Sequence, residues 1–118
     1  MSELLECVPI QASELPALAA ARLRENWRLV LVTALQAKQP AAELEITYSF
    51  ERGQKVENLR LRLDTGSGPP TLPSITGTYM AAFTYENELQ DLFGVKMEGL
   101  NPDYQGRFYS RKGGGSNG

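Results

Sequence analysis

Two runs of strict alternation flank a glycine, and they constrain the fold more than any other feature of the chain. Leu44, Ile46, Tyr48 and Phe50 alternate with Glu43, Glu45, Thr47 and Ser49. Leu59, Leu61 and Leu63 alternate with Asn58, Arg60 and Arg62. Successive strand side chains point to opposite faces, so each run reads as a strand with one dry face and one wet face. Between them Gly53-Gln54 fits a two-residue type II′ turn, which favours glycine first. Closing the chain there sets Tyr48 opposite Leu59, Ile46 opposite Leu61 and Leu44 opposite Leu63. On the other face Glu45 meets Arg62, and Thr47 meets Arg60. A register in which apolar meets apolar and acid meets base supports the hairpin. The arginines read as parts of a solvated strand face, where ion pairs contribute little.

The flanking segments are built around this hairpin. Leu4 to Gln11 is a short, partly apolar run that reads as a first strand. Ser13 then resembles an N-cap, with Glu14 and Pro16 in the first turn of a helix running to about Asn26. Leu15, Leu18, Ala19 and Leu23 are its expected buried stripe. Trp27 to Gln36 is apolar on both alternating sets, the pattern of a strand covered on both faces. "AKQPAA" reads as a loop. "TGSGPPTLP", Thr65 to Pro73, is a long glycine- and proline-rich connector that can be neither helix nor central strand. Ser74 or Thr76 is placed to cap a second helix from about Gly77 to Phe93. The fold class expected is α+β: a helix, a sheet containing an antiparallel hairpin, a long Gly/Pro loop, a second helix and an extended C-terminal arm. Residues 1–100 form the single domain, 101–112 the arm, and "GGGSNG" at 113–118 a disordered tail.

What the chain lacks narrows its chemistry. With 118 residues there is one core and no room for a second. There is no histidine, which removes the usual general base, the commonest metal ligand and every Ser-His or Cys-His pair. Cys7 is the sole cysteine, so no disulfide, thiolate zinc site or iron-sulfur ligand set is expected. A net charge of −2 imposes no basic face for nucleic acid. The N-terminus has neither the basic start nor the apolar run of a signal peptide, and no stretch reaches the ~20 apolar residues of a membrane span. The expectation is a cytoplasmic protein.

The densest stretch is "YENELQDLFGV", Tyr85 to Val95. On a helix of 3.6 residues per turn, Tyr79, Ala82, Phe83, Tyr85, Leu89, Leu92 and Phe93 share one apolar arc. Thr84, Asn87, Glu88 and Asp91 lie opposite. Glu86 falls inside the apolar arc, where a carboxylate needs a partner. Asp91 sits in the last turn, where the helix dipole disfavours it. Gly94 reads as the left-handed C-cap. Because Glu86 points away from Glu88 and Asp91, the three cannot converge on a metal or form a catalytic carboxylate pair. A solvated face explains Glu88 and, less well, Asp91, but not Glu86. Docking against a basic partner, or against this chain's own Arg107, accounts for all three.

The stretch from Pro73 to Asp103, "PSITGTYMAAFTYENELQDLFGVKMEGLNPD", resembles the signature of the 30 kDa (NuoC-like) subunit family of respiratory complex I. The matching positions are Pro73-Ser74-Ile75-Thr76, Glu86 and Glu88, Asp91-Leu92-Phe93-Gly94-Val95, and Gly99. Asn87 stands where that signature has arginine, and Leu100-Asn101-Pro102 where it has His-Pro. Shorter, divergent members of this kind are similar to subunits of energy-converting, membrane-bound [NiFe] hydrogenases of the Ech type. The resemblance implies a non-catalytic structural subunit of a membrane-associated oxidoreductase, itself holding no cofactor. Iron-sulfur clusters and nickel-iron or quinone chemistry would belong to a large catalytic subunit and a small cluster-bearing subunit. It would be peripheral, on the cytoplasmic side, reaching the membrane only through the complex. Glu86, Glu88, Asp91, Tyr104 and Arg107 are the candidate partner-binding residues; Pro73, Ser74, Phe93, Gly94 and Gly99 are structural.

"NPDYQGRFYSRK", Asn101 to Lys112, fits this as an arm laid on a partner. Base stacking by Tyr104, Phe108 and Tyr109 beside its cations is disfavoured by the negative charge of the rest of the chain. The competing reading from another class is a stand-alone protein-binding domain without a redox role.

Overall fold

The computed structural model describes residues 7–99. The fold is α+β, with element order β1 (Cys7–Pro9), a 3-10 turn (Ala12–Glu14), α1 (Leu15–Arg24), β2 (Arg28–Ala37), β3 (Glu43–Arg52), β4 (Lys55–Asp64), β5 (Thr71–Pro73), α2 (Ala82–Phe93) and β6 (Lys96–Glu98). Strands β1 to β4 form one sheet in the order β1-β4-β3-β2; β5 and β6 form a separate two-stranded ribbon. The β3–β4 hairpin has the register that alternation predicts: Tyr48 pairs with Leu59, Ile46 with Leu61, Leu44 with Leu63, Glu45 with Arg62 and Thr47 with Arg60. Gly53 carries a φ of 63°, and Gln54 is not among the residues of positive φ, as a type II′ turn requires.

One face of the sheet is dry. Leu44, Ile46, Tyr48, Phe50 and Leu59 are fully buried, and α1, α2 and the 75–79 segment cover them with Leu15, Ala19, Ile75, Tyr79, Ala82 and Leu89. The Tyr79 ring packs on Phe50 with centroids 5.5 Å apart. Glu57, at the margin of this face, pairs with Arg22 of α1 and so ties the helix to β4. No described element covers the opposite face, which carries a ladder of ion pairs. Arg62 meets Glu45 at 3.1 Å and Glu43 at 3.7 Å, and Arg60 meets Glu45 at 3.6 Å.

Several elements depart from expectation. The first strand is only Cys7–Pro9 within the described residues, and it runs parallel to β4. Ser13 does not cap α1; instead the Glu14 carboxylate accepts the Gln11 N–H at 2.7 Å, and the helix begins at Leu15. Leu15 and Ala19 are buried and Leu18 is half-buried, but Leu23 is 48% exposed. It falls in the last turn, just before Asn26 ends the helix at a φ of 67°. There Trp27 N–H bonds Arg22 C=O and Asn26 N–H bonds Leu23 C=O, the paired bonds of a Schellman motif.

Among the described residues, strand β2 is not covered on both faces. It is a sheet edge. Leu31 and Leu35 pair with Ser49 and Glu45 and share their open face. Its doubly apolar pattern therefore reflects exposure of aliphatic side chains rather than a second layer. In the Gly/Pro connector, Thr71–Pro73 forms β5, which pairs parallel to β6 across α2. Helix α2 starts at Ala82, five residues later than expected, because Ser74 and Thr76 are engaged elsewhere.

Candidate functional site: a buried carboxylate and an edge groove

Glu86 explains the displaced helix start. Its side chain reaches from the second turn of α2 back to the segment after β5, and the residue is only 2% exposed. Oε1 accepts from Ser74 Oγ at 2.7 Å and from Thr76 Oγ1 at 2.8 Å; Oε2 accepts the Ile75 N–H at 2.8 Å. Ser74 Oγ in turn accepts the Thr76 N–H at 3.2 Å. A carboxylate on an apolar face is thus satisfied by two hydroxyls and a backbone donor rather than by a cation. The Ser-Ile-Thr triplet and the glutamate ten residues beyond it form a single latch. Nearby, the Tyr48 hydroxyl is fully buried with no hydrogen-bond partner among the described residues. Burial, and then the charge of Glu86, push its phenol well above the usual tyrosine range.

The flanks of α2 close the unit. Gly94 is left-handed, with φ 69° and ψ 23°, and its N–H bonds Gln90 C=O, which lets the chain turn into β6. Leu72 pairs with Met97, and Ser74 N–H bonds Glu98 C=O at 2.8 Å. Pro73 closes β5, Phe93 packs against the core, and Gly99 follows β6 with a φ of 82°.

Glu88 and Asp91 are exposed on the other side of α2, apart from Glu86, as the helical projection requires. Leu92 is 72% exposed and lies outside the buried arc it was assigned to, because α2 overhangs the sheet edge there. Between this part of α2 and β2 runs an open groove of about 310 Å³. Val32 and Ala34 line the strand side; Leu89, Leu92 and Phe93 line the helix side, and Glu88 is the carboxylate on its wall. Two tyrosines bridge the same gap further along. Tyr79 Oη donates to Trp27 C=O at 2.7 Å, and Tyr85 Oη to Val30 C=O at 3.4 Å.

The Gly/Pro connector is held at both ends: Pro70 C=O accepts the Lys96 N–H at 2.8 Å beside the β5–β6 ribbon, and the other end is fixed at the end of the sheet. Asp64 accepts from Gly66 N–H and Ser67 Oγ, both at 2.8 Å, and Thr65 N–H bonds Ala42 C=O. Tyr104 and Arg107, expected beside Glu88 and Asp91, lie outside the described residues. The contribution of β2 to the groove escaped the sequence reading; the signal was its apolar run on both alternating sets. Among the described residues no group of three His, Cys, Asp or Glu side chains is arranged to hold a metal ion. Nor is any described helix long and apolar enough to cross a membrane.

A helix locked over a mixed sheet by a buried carboxylate, with its acidic side left outward, defines an α+β module. The chain belongs to the respiratory-chain NADH dehydrogenase 30 kDa subunit family, whose model matches residues 8–112. Among solved structures, a chain of the membrane-bound sulfane sulfur reductase, an archaeal respiratory membrane complex, superposes with a TM-score of 0.68 at 22% identity. That match covers 79% of this chain and 56% of the other, so the present chain spans little more than half of that relative's length. The trypsin-resistant fragment (1–134) of Nqo5 superposes with a TM-score of 0.65 at 18% identity, covering 77% of this chain and 76% of that one. At these identities the likeness is one of fold.

Proposed function

We propose that the chain is a non-catalytic structural and assembly subunit of a multi-subunit, membrane-associated, complex I-like oxidoreductase, docking on its large catalytic subunit. The observation that carries this reading is the division of labour on α2. The one acidic residue of its buried face is consumed by the latch, while Glu88 and Asp91 are left exposed beside an open groove within a fold of the 30 kDa family. Redox centres, whether iron-sulfur clusters with nickel-iron or with quinone, then reside in neighbouring chains. The protein lies peripherally on the cytoplasmic side, tethered through the complex. Within this class, Asn87 and Leu100-Asn101-Pro102 support the energy-converting [NiFe] hydrogenase branch over complex I proper.

The test is co-purification. A tagged chain drawn from native membranes is expected to bring down a large catalytic subunit and a cluster-bearing small subunit, with hydrogen-linked turnover in the assembly. Quinone-linked turnover without hydrogen chemistry would move the protein to the complex I branch. Recovery of the chain alone would favour a stand-alone binding domain. Changing Glu88→Lys and Asp91→Lys together is expected to leave the isolated fold within about 0.5 kcal/mol of wild type and to release the chain from the complex. Normal stoichiometry in the double variant would reduce the ridge to a solvated face.

A further inference from the structure

We propose that the free edge of β2 and the groove beside it take an extended segment of a partner subunit, added to the sheet as a further strand and carrying a lysine or arginine against Glu88. The inference rests on the docking role above and assigns it a place and a mode of recognition.

The two edges of the sheet are treated differently. At one edge β1, Cys7–Pro9 among the described residues, ends in Pro9, which has no N–H to offer. At the other, β2 runs ten residues without proline, and its one charged residue, Arg28, is held by Glu51 at 2.7 Å. Long edges of low charge invite a further strand, and proteins that do not use them blunt them. Here blunting is confined to the beginning of the strand, where the two tyrosine hydroxyls take the carbonyls of Trp27 and Val30. Among the described residues, the strand from Leu31 to Gln36 has a neighbour only on the β3 side.

Side chains confirm that this portion is exposed in two directions. Leu31 and Leu35 are 46% and 64% exposed on the open face, and Leu92 is 72% exposed at the groove. A strand added about 4.8 Å beyond β2 would send alternate side chains into the groove and over Leu31 and Leu35. The groove is apolar apart from Thr33, the Tyr85 hydroxyl and the Glu88 carboxylate, so the chemistry that completes it is aliphatic with one cation. A second copy of this chain fits poorly. Antiparallel pairing of β2 with itself would place groove against groove and Glu88 against Glu88.

The experiment uses the full chain in native membranes, with a photo-crosslinking amino acid at Leu35, at Leu92, or at Val56 on β4 as control. The expected result is that Leu35 and Leu92 crosslink to one short segment of a single other subunit, containing a lysine or arginine, and that Val56 does not. Glu88→Arg is expected to lower co-purification at least tenfold, and reversing the charge of that partner residue to restore it. The proposal is overturned, with the subunit role left standing, if the complex co-purifies but either position is silent. It is equally overturned if the two positions reach different chains, a second copy, or residues 100–118 of this chain. If no complex co-purifies, the docking role fails and this inference fails with it.

Discussion

Glu86 and Glu88 stand two residues apart on α2, and the same carboxylate chemistry meets opposite surroundings. Glu86 points into the core and is enclosed by two hydroxyls and a peptide N–H. Glu88 faces outward over a groove whose other walls are apolar but for Thr33 and the Tyr85 hydroxyl. Removing the first leaves two buried donors, the Ile75 N–H and the Thr76 hydroxyl, and the half-buried Ser74 hydroxyl without their acceptor; removing the second leaves nothing buried. The contrast separates residues that make the fold from residues that present it, within one turn of one helix. It also shows why a family signature can mix the two: Ser74, Thr76 and Glu86 belong to the latch, whereas Glu88 and Asp91 do not touch it.

The sharpest way to break this contrast is Glu86→Ala. Leaving the Ile75 N–H and two hydroxyls unsatisfied is expected to cost about 3 kcal/mol, read as a lowered midpoint in urea unfolding at unchanged slope. Thr76→Val removes one of the three donors and should cost about 1–2 kcal/mol in the same assay. An equal cost for Glu88→Ala would erase the distinction between the two sides of the helix.

A smaller effect of opposite sign is expected next door. Tyr48→Phe deletes a buried hydroxyl that has no partner among the described residues, and should stabilise the domain by about 1 kcal/mol. The pH dependence sharpens the assignment. Because the folded phenol titrates above its unfolded value, its contribution is fully present below about pH 10 and is lost as pH rises beyond it. The variant should therefore lose less stability than wild type in that alkaline range.

The smallest effect lies at the far end of the sheet. The Ser67 hydroxyl, then the Gly66 N–H, hold the exposed Asp64 carboxyl below its ordinary value. Its contribution is present above about pH 4, the unfolded value, and is lost as pH falls through the lower folded value. Asp64→Asn should flatten that acid limb slightly, measured as the pH dependence of the melting temperature, and leave neutral stability nearly unchanged.

What could be read from the residues was whatever depends on neighbours close in the chain. Alternation around Gly53 determined the β3–β4 register, helical projection separated Glu86 from Glu88 and Asp91, and Gly94 marked the end of α2. What could not be read depends on partners far away. Ser74 and Thr76 have the chemistry of helix caps, and only the return of Glu86 from the helix diverts them. The run from Trp27 to Gln36 has the composition of a doubly covered strand, and composition cannot say that no described element lies over one face. Thr71–Pro73 became a strand because Lys96–Glu98, beyond the whole of α2, came back alongside it.

That return has a consequence for how the molecule opens. The parallel ribbon closes a loop that contains all of α2, and the Glu86 latch fastens the same loop from inside. The ends of residues 71–98 cannot part without breaking the ribbon, and the helix cannot lift without breaking the latch. The segment should therefore exchange its amide hydrogens as one cooperative unit, with Ile75 and Thr76 protected to the same degree as Lys96, while the hairpin beneath it follows its own, separate opening.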